Sequence, residues 1–264
     1  MRHRVRQLGV CLLLIGIALF STSGGAQIIA VESSANRTTH TPTADEILAR
    51  VIARDRDRQL ALERYGSLRT YRMAYHGPIG ERHAEMLVQM HFSTPDQKQF
   101  DVLSESGSTI FCKQILRRLM EGEREGALEK NHARSMLSPE NYTAVLIGQE
   151  QVDVVPTWVL DVTPKSENKF NYKGRVWIST DDFAVVRIVG SPGSNPSFLM
   201  GSAQFDYRYS RSGEFWLPSR NVTKTKLRIG GEITLTVDYG TYEIVTRPDG
   251  AIGSEAAMVS TRLR

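Results

Sequence analysis

The side chains that could carry out chemistry in this sequence are few and scattered. The acidic pair Asp181-Asp182 stands at the centre of YKGRVWISTDDFAVVRI, residues 172–188. Adjacent carboxylates can ligate a metal or act as an acid/base pair, but catalytic carboxylates need a pocket that shifts their pKa values. The flanking runs look like strands, and STDD is typical of a turn because its short polar side chains hydrogen-bond their own backbone. The sequence therefore predicts a solvated hairpin turn at this pair.

The other candidate groups stand without partners at a useful spacing. His83 and Glu85 occupy alternate positions, so they share a sheet face, but with no third ligand they are interpreted as a surface pair. Cys112 lies in the apolar stretch TIFCKQIL, which favours a buried small side chain over a nucleophile. The sequence contains no HxxxH, CxxC, GxSxG, P-loop or GxGxxG motif. We therefore predict no catalytic residue, no metal ligand and no cofactor, which points away from an enzyme.

The N-terminal residues 1–26 have the three parts of a secretory signal peptide. Basic MRHRVRQ precedes the 13-residue apolar run LGVCLLLIGIALF, which is followed by small and polar residues. The apolar run is shorter than the roughly 20 residues that a membrane-spanning helix needs. Gly24 and Ala26 place small side chains at −3 and −1, so cleavage is predicted after Ala26. The alternative is an uncleaved leader that anchors the protein to the inner membrane.

Removing this leader changes the charge balance of the chain. The full sequence has 33 basic and 29 acidic residues, and the leader takes away three arginines and no acidic residue. The exported chain is therefore close to neutral, which argues against a general affinity for nucleic acid. It also keeps only one cysteine, so its stability must come from its core and not from an internal disulfide.

The rest of the chain begins with a polar, aperiodic segment, 27–42, which predicts a flexible lead-in. Thr43 and Glu46 then form a capping box at the start of a helix. Ile47, Leu48, Val51 and Ile52 give that helix one apolar face. The charged stretch ARDRDRQ that follows is interpreted as a solvated helix flank.

From Ser67 the hydrophobic period changes to two. LRTYRMAYH, RHAEMLVQMHF and KQFDVLSES predict three antiparallel strands joined by short turns. One short amphipathic helix follows, and its apolar positions are Ile115, Leu116, Leu119 and Met120. The Gly-broken, charged stretch EGEREG is predicted to be an exposed loop. Further strands bring the total to roughly nine to eleven, which predicts one large antiparallel sheet in a single domain, 43–246, and an irregular tail, 247–264.

Apolar and aromatic residues line one side of many of these strands, and such a face must be covered. If the sheet curls without closing completely, its inside becomes an apolar cavity. The alternative is a fully packed core. The residues predicted to line a lipid cavity are Met86, Met90, Phe92, Trp158, Leu160, Val176, Ile178, Phe205 and Tyr207.

The order of these elements resembles the outer-membrane lipoprotein-sorting (LolA-like) superfamily. The residues that carry the resemblance are WVLDVTPKSENKFNYKGRVWISTDDFAVVRIVG and, after it, FDYRY and GEFWLPSRNVTK. The resemblance implies a mainly β, α+β fold, in which one curved antiparallel sheet forms a half-open barrel. Two or more helices cover an apolar cavity, and the helix at 115–120 serves as a lid. The chain is longer than the small sorting chaperones of this superfamily.

Members of the superfamily bind lipids or the acyl chains of lipoproteins in the bacterial cell envelope, and related folds sense lipoproteins or regulate envelope stress. The resemblance thus implies a non-enzymatic, periplasmic carrier of a lipid or lipoprotein acyl chain. The alternative function is an envelope scaffold or regulatory module that binds a protein partner without transporting lipid. The expected protein partners are components of the inner or outer membrane.

Overall fold

A computed structural model describes residues 41–194 and 200–247, and ten strands in these ranges form one antiparallel sheet. The spatial order is β3-β2-β1-β10-β9-β8-β7-β6-β5-β4. The strands are β1 (Leu62–Gly77), β2 (Gly80–Ser93), β3 (Gln97–Gly107), β4 (Tyr142–Val152), β5 (Val155–Pro164), β6 (Tyr172–Ser179), β7 (Val185–Pro192), β8 (Met200–Ser212), β9 (Phe215–Leu227) and β10 (Glu232–Thr246).

The sheet is curved and does not close, because β3 and β4 lie at its two opposite edges. This confirms the predicted half-open antiparallel sheet. The predicted signal peptide, the lead-in up to residue 40 and the tail from residue 248 all lie outside the described residues. In the part of the chain that is described, no helix is both long and apolar enough to cross a membrane.

Period-two patterning sets the register of the first hairpin. Strands β1 and β2 pair without a break from Arg64 opposite Ser93 to Gly77 opposite Gly80. Gly80 has φ +86°, a conformation that side chains with a Cβ rarely adopt, so glycine permits this tight turn. Along β2, the alternate residues Ala84, Met86, Val88 and Met90 are buried, as the apolar pattern predicts.

Helix α1 (Ala44–Ala61) begins at the predicted capping box. The Glu46 N–H donates to Thr43 Oγ1 at 3.2 Å, and the Thr43 N–H donates to Glu46 Oε2 at 2.7 Å. Such a cap stabilises a helix by about 1 kcal/mol. Ile47, Leu48 and Val51 are buried beneath the helix, whereas Ile52 is half-buried.

The connection from β3 to β4 is more helical than the sequence predicts. Helix α2 (Thr109–Phe111), a π-helical turn (Cys112–Leu116) and helix α3 (Arg117–Ala127) follow one another directly, and helix α4 (Glu129–Ser135) comes next. The prediction of an exposed loop at EGEREG was therefore wrong, because these residues belong to α3. Helix propensity alone does not account for it, since Gly122 and Gly126 both disfavour a helix. Contacts with the sheet hold these residues in the helix, through buried Leu119 and Met120 and through the Glu123 side chain described below.

The core consists of three clusters of buried residues. The first, the α1 core, packs Ile47, Leu48 and Val51 against strands β4 to β8. The second, the α3 core, packs the π-helical turn and α3 against β1, β2 and β10, and it includes Cys112, which is buried as predicted. The third, called here the cavity-side cluster, contains Ala61, Leu62, Phe215 and Leu217, with Tyr65, Phe92, Tyr242 and Ile244 packed against it.

Candidate functional site

A cavity of about 440 Å³ adjoins the cavity-side cluster. Strands β1, β2 and β9 contribute its apolar wall, the second half of α1 contributes another side, and the end of α3 together with α4 completes it. The apolar wall residues include Leu62, Tyr65, Phe92, Phe215, Leu217 and Pro218. Exposed Leu60 and Arg247 also border the cavity, so it reaches solvent near the end of α1.

The charged side of the cavity is centred on Arg58. This arginine lies 3.7 Å from Asp55 Oδ1 and 3.4 Å from Asp182 Oδ2, and its Nη2 donates to the Asp182 backbone carbonyl at 2.9 Å. Burial raises the pKa of Asp55 to about 7, although nearby Arg58 favours its ionised form. The stretch ARDRDRQ is therefore only partly the solvated flank that was predicted. Arg54 and Arg56 are exposed, but Asp55 and Arg58 face the cavity.

Asp182 belongs to this charged side. Residues 180–182 form the predicted turn, and Asp181 is exposed as expected. The expectation that both carboxylates lie in water was wrong for Asp182, because the Trp216 Nε1–H donates to its Oδ2 at 2.7 Å. Burial favours the neutral acid, but hydrogen bonds from Trp216 and Ser179, together with Arg58, lower its pKa below the ordinary value. The turn is thereby tied to α1 and β9.

Two further polar side chains line the cavity and are poorly satisfied. His132 on α4 is only 3% exposed, and among the described residues neither of its ring nitrogens has a hydrogen-bond partner. Burial lowers its pKa to about 4, so the imidazole is neutral at pH 7. Gln59 on α1 is half-buried, and within the described ranges its Oε1 has no donor. A neutral imidazole offers one N–H donor and one acceptor.

A second group of buried polar side chains lies between α3 and the sheet, and it is called here the Glu123 cluster. Its members are Arg69, Tyr71, Lys98 and Glu123. Arg69 Nη1 and Lys98 Nζ donate to Glu123 Oε2 at 2.8 and 2.9 Å, while the Tyr71 hydroxyl donates to Oε1 at 2.9 Å. All four side chains are at most 2% exposed. The cluster therefore ties α3 to β1 and β3 through charge-assisted hydrogen bonds.

Burial and charge compete within the Glu123 cluster. Burial favours neutral Glu123, but the cations of Lys98 and Arg69 outweigh it and hold the pKa of this carboxyl below its usual value. Burial lowers the pKa of Lys98 to about 8, although Glu123 favours the charged amine. The Arg69 guanidinium also lies over the Tyr239 ring, 4.7 Å from its centroid. These side chains are buried from solvent and already hydrogen-bonded to one another, so the role of the Glu123 cluster is to stabilise the fold.

The structure places all of the predicted lining residues except Met90 in or against the three core clusters. Five of them lie in the α1 core, namely Leu160, Val176, Ile178, Phe205 and Tyr207. Trp158 packs against the same core. Met86 lies in the α3 core, and Met90 is fully buried. Phe92 packs against the cavity-side cluster and borders the cavity described above. Contact of the whole set with lipid stays a prediction.

The predicted lid helix packs against the α3 core. Leu116, Leu119 and Met120 are buried there, and Ile115 is partly buried against them. A lid function for these residues also stays a prediction. Sequence reasoning missed Gln59 and His132 at the cavity wall, and it missed the contact of Asp182 with the lining residue Arg58. Asp182 had a local signal in the acidic pair itself, but the pair was assigned to a solvated turn, whereas Gln59 and His132 had no partner at a useful spacing.

Comparisons with known proteins were made by sequence and by structure. No protein-family model matches the chain, and no curated protein matches it in sequence. Among solved structures, the LolA superfamily protein NE2245 from Nitrosomonas europaea is 13% identical, with 79% of this chain and 96% of that chain covered and a TM-score of 0.34. A putative outer membrane lipoprotein-sorting protein domain from Vibrio parahaemolyticus is 11% identical, with 75% and 91% covered and a TM-score of 0.36.

A third match is the MucA/MucB complex structure from Pseudomonas aeruginosa. The matched chain of that structure is 13% identical in sequence to this one. The match covers 76% of this chain and 98% of the matched chain, with a TM-score of 0.23. The structures that the chain is similar to thus include the superfamily that its sequence resembles. Likenesses at these identities and TM-scores carry no functional conclusion.

Proposed function

We propose that this protein is a non-enzymatic binding or carrier protein for a lipid or lipoprotein acyl chain. The observation that supports the proposal is the cavity of about 440 Å³ with its wall of aliphatic and aromatic side chains. Its size falls within the range of roughly 300–1,000 Å³ that is usual for small-molecule sites. An acyl chain placed there loses contact with water, which is favourable by about 25 cal/mol for each Å² of apolar surface buried.

The proposal places the protein in the periplasm, after export through the leader at residues 1–26 and cleavage at Ala26. There the chain from 43 to 246 acts as a single domain, and inner- or outer-membrane proteins deliver or receive its ligand. Mass-spectrometric sequencing of the exported protein tests the location. A mature N-terminus at Gln27 is expected, whereas a chain that retains Met1 would favour the membrane-anchored alternative.

A second candidate function, a module that binds a protein partner, is favoured by the edge strand β4, which pairs only with β5 among the described residues. Val145 and Ile147 on this edge strand are 57% and 52% exposed, and Val154 in the following turn is also exposed. An unpaired edge with apolar side chains can accept a strand from another protein. Ile147→Lys should weaken such binding and leave the lipid content of the cavity unchanged.

The decisive experiment compares Phe92→Glu with Met90→Glu, two changes on the same face of β2. Phe92 borders the cavity, so a glutamate there can meet water, and the variant should fold with a loss of roughly 1–3 kcal/mol. It should retain about tenfold less lipid than wild type, since an acyl chain would have to desolvate the new carboxylate. Met90 is fully buried, so the same change leaves an unpaired buried charge, and the protein should fail to accumulate.

The measurement is organic extraction of protein purified under native conditions, followed by mass spectrometry of the extract, with circular dichroism to verify folding. Co-purifying lipid in wild type and its loss in folded Phe92→Glu support the carrier. A wild-type protein that holds no lipid and binds no added apolar probe would overturn the proposal. Lipid retained fully by Phe92→Glu would place the binding site elsewhere.

A further inference from the structure

Among the described residues, the buried polar atoms without a partner belong to Gln59, His132, Ser138, Asn171, Asp182 and Asn221. Asn171 and Asn221 each have one amide oxygen without a partner in the described ranges, but their amide nitrogens donate to Ser166 O and Tyr239 Oη. His132 is unpartnered at both polar atoms among the described residues. Moreover, His132 and Gln59 both line the same cavity. Three unpartnered atoms, two on His132 and one on Gln59, therefore belong to side chains that line the proposed ligand site.

The energetic cost of this arrangement indicates that a partner belongs there. A buried donor or acceptor without a hydrogen bond costs about 1–3 kcal/mol. His132 contributes one N–H donor and one acceptor, and Gln59 Oε1 contributes a second acceptor. A molecule that satisfies all three must itself offer at least one acceptor and two donors. Hydroxyl groups and amides have this dual character, whereas a simple ester lacks donors and a carboxylate offers only acceptors.

The charges around the cavity disfavour an anionic head group close to Arg58. Two carboxylates, Asp55 and Asp182, already lie within 3.7 Å of that single guanidinium. Glu129 also lines the cavity on α4, three residues before His132. The other lining cation, Arg247, is exposed at the rim, where it donates to Thr94 Oγ1 at 2.9 Å. An anion placed near His132 would thus meet the carboxylate of Glu129, while both lining cations of the described residues, Arg58 and Arg247, already have partners.

We propose that the ligand of this cavity is an amphiphile with an uncharged, hydroxyl- or amide-bearing head group, such as a monoacylglycerol, which His132 and Gln59 bind while its acyl chain lies against Phe92 and Leu217. This inference rests on the proposed binding function and deepens it. The imidazole nitrogens are shielded from water, so the proposal includes a rotation of the ring that turns them toward the cavity. His132 and Gln59 then select the head group, and the apolar wall provides most of the affinity.

The test uses three probes with the same ten-carbon chain: 1-decanoylglycerol, methyl decanoate and decanoate. Their dissociation constants for the exported protein are measured by displacement of a fluorescent apolar dye. We expect wild type to bind 1-decanoylglycerol about tenfold or more tightly than either of the other probes, which corresponds to one to two net hydrogen bonds. His132→Leu should lose this preference and keep its affinity for methyl decanoate. His91→Leu, at an exposed site on β2, is the matched control and should behave as wild type.

Each outcome decides between the proposals. Equal binding of 1-decanoylglycerol and methyl decanoate by wild type would overturn the head-group inference and leave the carrier function standing. Tighter binding of decanoate would also overturn it and would assign the head group to Arg247. A preference that survives in His132→Leu would remove His132 from the site. Binding of none of the probes would overturn the carrier function itself. If His132→Leu does not fold, Gln59→Leu is used, and it should reduce the preference about threefold or more.

Discussion

The Glu123 cluster and the cavity wall at His132 both hold polar side chains out of water. In the cluster, one carboxylate accepts hydrogen bonds from three donors on two strands, and each member has a partner. At the wall, both ring nitrogens of His132 lack a partner among the described residues. The two sites are equally buried, but only the first is satisfied. In the Glu123 cluster, every side chain has its hydrogen bonds made within the protein, so the cluster holds the fold together. At His132 the hydrogen bonds are unmade within the described residues, beside a cavity, so a ligand can make them.

The largest effect should come from breaking the paired site. Glu123→Ala leaves Arg69 and Lys98 as uncompensated buried cations, and it should lower the free energy of unfolding by roughly 3 to 5 kcal/mol. Urea denaturation at pH 7 measures the change. The matched control is Glu121→Ala on the exposed side of α3, which should change stability by about 0.5 kcal/mol or less. Equal effects of the two changes would contradict the structural role of the cluster.

The contribution of His132 to the free energy of unfolding should depend on pH more than on the presence of its side chain at pH 7. At pH 7, His132→Leu should leave stability unchanged or raise it, because no hydrogen bond is lost. In acid the unfolded chain takes up a proton near the ordinary histidine pKa of about 6.5, whereas folded His132 does so only near 4. The unfolded state therefore binds more protons in this window, and wild-type stability falls as pH drops from 6.5 to 4.

His132→Leu should be protected from this loss, which amounts to about 3 kcal/mol. Asp55 acts in the opposite direction, since its raised pKa makes stability fall as pH rises from about 4 to 7. The difference between wild type and variant at each pH isolates the contribution of His132. Urea denaturation at pH 7, 5.5 and 4.5 gives this difference, and a constant value across the three conditions would show that His132 is not buried in its neutral form.

The smallest change in stability should come from Asp182, whose carboxylate is only partly hydrogen-bonded, between Glu123, which is fully paired, and His132, which is unpaired among the described residues. Its Oδ2 accepts from Trp216, but in the described ranges its Oδ1 has no partner. Asp182→Ala should destabilise the protein by about 1–2 kcal/mol, because Trp216 and Arg58 lose an acceptor. Its exposed neighbour supplies the control, and Asp181→Ala should cost about 0.5 kcal/mol or less. If thermal unfolding shows the same change in melting temperature for Asp182→Ala and Asp181→Ala, Asp182 does not anchor the turn to Trp216 and Arg58.

Local patterns were sufficient to predict most of the fold. Alternation along β2 and the capping box at Thr43 depend on residues a few positions apart, and both are confirmed. The helix at EGEREG was missed because its stabilising contacts are distant in sequence: Glu123 pairs with Lys98, 25 residues away, and with Arg69, 54 residues away. The same reason hid the anchoring of Asp182 by Arg58. Polar sites built from long-range pairs leave no period in the sequence.

The pairing of β1 with β10 has a consequence for how the chain folds. Leu62, at the start of the sheet, lies opposite Thr246, at its end, and the ladder continues from there to His76 opposite Glu232. The first three strands can form hairpins early, but within the described residues they join the other strands of the sheet only through β10. Contacts between such distant segments slow folding because a long loop must close first. A chain that stops before β10 would thus keep two open strand edges, on β1 and β9, and would be prone to aggregate.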